Sequence, residues 1–155
     1  MTADNPFATL IDTEALDWIE TPGGNALKPL WVSEETGSWS ALIKAKAGTV
    51  NPPHTHLGPA DFYVITGSME YRGGFARAGA WVYEPAGAVH EATSHPEDTV
   101  YLANVRGPIA YHGPDGKVTH VSNADTMRKA IANPIKSTKT KMVRIAPARR
   151  SLSKD

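Results

Sequence analysis

The chain contains no cysteine. That excludes disulfide bridges and every thiolate metal site, so any metal must be held by nitrogen and oxygen. Net charge is absent as well, since 16 Lys and Arg side chains balance 16 Asp and Glu. A neutral chain has no global field to gather nucleic acid or an anionic membrane, and neither is expected as a partner. Long apolar runs are also missing: nothing approaches the ~20 residues that a membrane-spanning helix needs. The first residues carry Asp4, Asp12, Glu14, Asp17 and Glu20 and no basic side chain up to that point. A secretory or mitochondrial targeting sequence has the opposite character, so a cytoplasmic protein is the expectation.

What is present fits one domain: 155 residues can bury a proper core but not two comfortable ones. Charge is uneven along it, with seven Lys and Arg from Lys136 to Lys154 set against Asp155 alone. A basic run without interleaved aromatics is a weak nucleic-acid signal, and reads as a solvated tail or a segment packed on an acidic neighbouring subunit.

The middle of the chain reads as short strands punctuated by glycine, the mark of an all-β barrel or sandwich. Ser38–Lys46 alternates, with Trp39, Ala41 and Ile43 on one face. Asp61–Thr66 is aromatic and β-branched, and Gly67-Ser68 suits a tight hairpin into Ser68–Arg72, which Gly73-Gly74 breaks. Further strands are expected over Ala80–Glu84, Val89–Ser94, Thr99–Val105 and Lys117–Val121. Asn123 or Asp125 then caps a helix through Met127 that Pro134 stops. The organisation predicted is an N-terminal extension over 1–30, a barrel over 31–122, and a C-terminal helix with the basic tail over 123–155.

Two stretches carry the chemistry. The first runs from Gly48 through Pro52-Pro53-His54-Thr55-His56 to Gly67. The second runs from Gly79 through Glu84-Pro85-Ala86-Gly87 to His90. On an extended strand His54 and His56 project from the same face. A third imidazole from another strand, His90, would complete a facial set for a mid-series divalent metal.

These stretches resemble the two characteristic motifs of the cupin superfamily. Gly48, His54, His56 and Gly67 match the first, and Gly79, Pro85, Gly87 and His90 the second, with Ser94 in place of the final asparagine. The resemblance covers roughly Trp31 to Val121 and implies a single double-stranded β-helix (jelly-roll) barrel. It fails at the motif's carboxylate, because counting back from Gly67 lands on Ala60. Asp61 next door should point to the opposite face, unless a β-bulge turns it inward. The reading is therefore a three-histidine centre of His54, His56 and His90 with no anionic protein ligand.

Within the superfamily the chain is similar to the acetylacetone-cleaving (β-diketone) dioxygenase group, and more distantly to 2,4'-dihydroxyacetophenone dioxygenase. The likeness rests on Gly58-Pro59, on Met69-Glu70-Tyr71-Arg72-Gly73-Gly74 and on Glu84 six residues before His90. It implies iron(II) at the three histidines, Arg72 and Glu84 as an inward polar pair near the metal, and Phe62, Tyr101 and Val105 lining a substrate pocket. An uncompensated metal charge should favour the enolate of a small ketone, with dioxygen as co-substrate. Zinc, manganese or nickel would instead serve an isomerase, a decarboxylase or a non-catalytic sensory cupin. A homodimer or homotetramer is expected. Tyr71 and Tyr83 are expected on the outer face. Trp31, Trp39 and Trp81 are expected in the core or at subunit contacts. His95, His112 and His120 are left unassigned.

Overall fold

The computed structural model describes residues 10–134. The basic run from Lys136 lies outside them. In chain order the strands are β1 (Ile19–Glu20), β2 (Asn25–Val32), β3 (Trp39–Ala45), β4 (Val50–Asn51), β5 (His54–His56), β6 (Ala60–Thr66) and β7 (Ser68–Tyr71). They continue as β8 (Gly74–Arg77), β9 (Trp81–Glu84), β10 (Val89–His90), β11 (Thr93–Ser94), β12 (Thr99–Val105), β13 (Ile109–His112) and β14 (Val118–Ser122). One helix, α1 (Ala124–Ala132), follows.

A six-stranded sheet in the order β1-β2-β3-β12-β6-β9 faces a four-stranded sheet in the order β10-β5-β13-β14, and the pairs β4–β11 and β7–β8 close the ends. This is the jelly-roll barrel expected. Alternation places the core. Trp39, Ala41, Ile43 and Ala45 on β3 and Thr99, Tyr101, Ala103 and Val105 on β12 are buried, while the residues between them are not. The two rows meet in register, Tyr101 opposite Ile43 and Val105 opposite Trp39. The helix starts at Asn123, whose side chain accepts from the Thr126 N–H in a capping box. Its Met127 is buried in the core.

Three expectations need correction. Val89–Ser94 is two short strands on different sheets. The strand β13, between Pro108 and Gly113, was not anticipated. The expected hairpin at Gly67-Ser68 is a corner instead: β7 pairs with β8, not with β6. Gly67 has φ +76, and a Cβ there would lie 2.2 Å from the Asp98 carbonyl, so it permits a close approach to the start of β12. The hairpin turn lies at Arg72-Gly73, where φ is +47 and +74, the left-handed pair of a type I′ turn.

A buried cluster of three histidines and a glutamate

Short elements place each member of the cluster. On β5 His54 and His56 are buried, and Thr55 between them is turned to the other face. His90 on β10 sits directly opposite His54 in the antiparallel ladder. The Pro85-Ala86-Gly87 bend makes this possible: Gly87 has φ +81 and donates its N–H to the His56 carbonyl at 2.7 Å. Ring centroids of His54 and His90 are 3.8 Å apart, those of His54 and His56 5.1 Å, and those of His56 and His90 5.6 Å.

Glu84 ends β9 directly across from Ala60 on β6. Ala60 is the motif position that lacks its acid, and its methyl leaves room for the Glu84 side chain to reach inward from the neighbouring strand. One Glu84 oxygen lies 2.6 Å from His56 Nε2 and the other 3.3 Å from His90 Nε2. One donor atom from each of His54, His56, Glu84 and His90 falls within 4.8 Å of every other.

The protonation states suit a cation. Burial, then repulsion from His90, lowers the His54 pKa to about 4, so its ring is neutral near pH 7. The Nδ1–H of His54 donates to the Pro52 carbonyl at 2.8 Å, and that of His90 to the Glu91 carbonyl at 3.1 Å. Each bond fixes the tautomer and leaves Nε2 with a free lone pair. Burial disfavours the charged form of Glu84, but contacts with His56, His90 and Tyr71 outweigh it and hold the carboxyl well below the usual range. Even so, both Glu84 oxygens and Nε2 of His56 and His90 are buried without a hydrogen-bond partner of acceptable direction. Buried polar atoms without partners are costly, and four of them gathered around one point fit a shared metal ion. The donor set, imidazole with one carboxylate, suits a first-row divalent metal such as iron, manganese or zinc.

The cluster forms the polar end of a cavity of ≈ 430 Å³. Phe62, Tyr101 and Val105 all line it, together with Ile43, Ile109 and Met127. Phe62 presents its edge to His56 at 5.8 Å between ring centroids. Asp61 points away, as alternation required, and meets Arg106 at 2.6 Å and Asn104 at 2.8 Å.

Arg72 does not project into the barrel or pair with Glu84. As the first residue of a left-handed turn it lies exposed, its Nε donating to the Tyr71 hydroxyl at 3.2 Å. Glu84 is thus in the cluster with imidazoles, not with a guanidinium, as its partners. Tyr71, expected outside, lines the cavity 5.9 Å from the His90 ring. Tyr83 is exposed, as are Trp31 and Trp81, and only Trp39 of these tryptophans is in the core. Among the other histidines, His112 bonds Thr55 at 2.7 Å, His95 is buried beside Thr49, and His120 stands at the cavity's rim. The polar residues Asn25 and Asn51, which also line the cavity, escaped sequence reading because isolated asparagines in short strands look like turn residues.

This jelly-roll barrel with a histidine and glutamate cluster at its heart defines a cupin with a metal-binding site. Residues 7–110 match the ChrR cupin-like domain family, and the chain belongs to it. It is 33% identical over 102 residues to the acetylacetone-cleaving enzyme of Acinetobacter johnsonii, covering 62% of this chain and 67% of that one. The fold is similar to a protein of Methylibium petroleiphilum PM1 provisionally assigned as an acetylacetone dioxygenase. There the identity is 30% and the TM-score 0.78, over 86% of this chain and all of that one. The acetylacetone dioxygenase of Acinetobacter johnsonii gives 26% and 0.72, over 84% and 93%. No helix among the described residues is long and apolar enough to cross a membrane.

Proposed function

We propose that the protein is a mononuclear non-haem iron(II) dioxygenase that cleaves a carbon–carbon bond of a β-diketone or related enolisable ketone. The observation that carries this reading is the convergence of His54, His56, His90 and Glu84 at the end of an apolar cavity. The 33% identity to an acetylacetone-cleaving enzyme supports it. His54, His56 and His90 would hold the metal with Glu84 among them, rather than as three histidines without an anionic neighbour. Bound iron(II) supplies Lewis acidity toward a chelating enolate and redox chemistry with dioxygen.

The chain's own residues do the rest. Glu84 is the one carboxylate among the described cavity-lining residues. Its charge would offset part of the metal's, so selectivity for an enolate rests on chelation more than on an uncompensated cation. Phe62 and Val105 form an apolar wall that excludes bulk water beside the reacting carbons. The ketone and dioxygen are the small-molecule partners, and association into a homodimer or homotetramer belongs to the same proposal.

Oxygen uptake by iron-loaded protein tests it. Acetylacetone should be consumed with one equivalent of dioxygen, and its doubly methylated, non-enolisable derivative should not. Equal turnover of both would contradict the enolate step.

A further inference from the structure

The cavity has a second polar end that the metal reading does not use. Tyr101, on β12, is 6% exposed and lines the cavity. Its ring is clamped on two sides: His95 stacks against it at 6.1 Å and 10°, and Phe62 meets it edge-on at 6.0 Å. The Asn51 side chain lies within reach of its hydroxyl and partly offsets the rise that burial causes in its pKa. Asn51 is held in turn, since Asn25 Nδ2 donates to Asn51 Oδ1 at 2.7 Å. With both Asn51 and Asn25 oriented, the phenol oxygen has a donor within reach on β4, and its own proton is left to donate. Among the described residues no other group accepts it. Burial raises the pKa of this phenol, so it keeps that proton at any working pH.

A buried hydroxyl with an unused proton is costly unless something accepts it, and a bound ligand can be that acceptor. The metal end of the same lining lies beside Phe62, which meets both His56 and Tyr101. We infer that Tyr101, positioned by Asn51 and Asn25, is a specificity-determining donor for an oxygen that the substrate carries beyond its chelating diketone. The substrate class is then a diketone bearing a further carbonyl, ester or carboxylate, rather than a bare hydrocarbon diketone. This rests on the proposed metal-bound enolate for the ligand's other end.

The test uses zinc-loaded protein, which has no redox chemistry, and calorimetric titration with two neutral probes. One is acetylacetone. The other is methyl acetopyruvate, the same diketone with an ester carbonyl in place of one methyl group. The readout is the ratio of their affinities in each variant. Tyr101→Phe should cut the ratio about tenfold relative to the parent, the worth of one buried hydrogen bond. Asn51→Ala, which keeps the hydroxyl but frees its rotation, should cut it by a smaller factor and serves if Tyr101→Phe folds poorly. An unchanged ratio in both variants would overturn the inference. Failures at the two ends are distinguishable. If the ester binds with and without zinc, and still loses affinity in Tyr101→Phe, the metal-enolate reading falls and the Tyr101 contact stands. If neither probe binds, both fall.

Discussion

Asp61 and Glu84 are carboxylates one rung apart on the same ladder, Asp61 opposite Tyr83 and Glu84 opposite Ala60. Both are held in the ionised form against the cost of burial, yet by different means. Asp61 faces outward and is fully matched: Asn104 and Arg106 donate to it, and the balance lowers its pKa. Glu84 faces inward, is 1% exposed, and has no Arg or Lys paired with it, only Tyr71 and imidazole nitrogens at poor angles. A satisfied carboxylate on a sheet surface is a structural feature. One buried among histidines, its oxygens without hydrogen bonds of acceptable direction, suits a cation site.

The sharpest contrast lies among the histidines. His54→Ala, His56→Ala and His90→Ala should each weaken divalent-metal affinity by about 100-fold or more, whereas His112→Ala should leave it within about twofold. Competition against a chelating dye measures this directly.

The next test restores the missing acid of the motif. Ala60→Glu places a second carboxylate opposite Glu84 at a position with no exposure. It should destabilise the metal-free protein by about 3 kcal/mol or more, through overpacking and like-charge repulsion. Combining it with Glu84→Ala moves the carboxylate to the adjacent strand and should recover much of that loss. Urea denaturation of the two variants decides whether the two positions share one space.

Neutralising the two acids should separate their roles. Glu84→Gln should lower metal affinity about tenfold and slow ketone turnover, while Asp61→Asn should do neither. Asp61→Asn should instead cost under about 1 kcal/mol of stability, since Arg106 is 50% exposed and the pair is partly screened. Its effect should also depend on pH. The folded pKa of Asp61 lies below its ordinary value, so its stabilisation is present above about pH 4 and fades as pH falls through the folded value. The variant and the parent should therefore converge in stability in strong acid.

Much of the site was legible because strand alternation is a simple rule. His54 and His56, two apart, had to share a face, and Asp61 had to oppose Ala60; both placements followed. Arg72 was misplaced for a reason in turn chemistry. Read as a strand residue it would point inward, but Gly73 after it completes a type I′ turn, and the side chain is carried out to solvent. Tyr71 shares a strand face with Met69, two residues before it, and both line the cavity. The approach of Glu84 to His56 and His90 depends on which strand pairs with β6, a long-range register that local pattern does not encode. The strand β13 was missed because four residues between Pro108 and Gly113 are too few to show a period.

The central claim is that the buried histidine and glutamate cluster is a metal centre. Anaerobic calorimetric titration of metal-free protein with iron(II) tests it most directly. One equivalent should bind to the parent, and none with comparable affinity to His56→Ala. Absence of binding, or equal binding in the two proteins, would contradict the account.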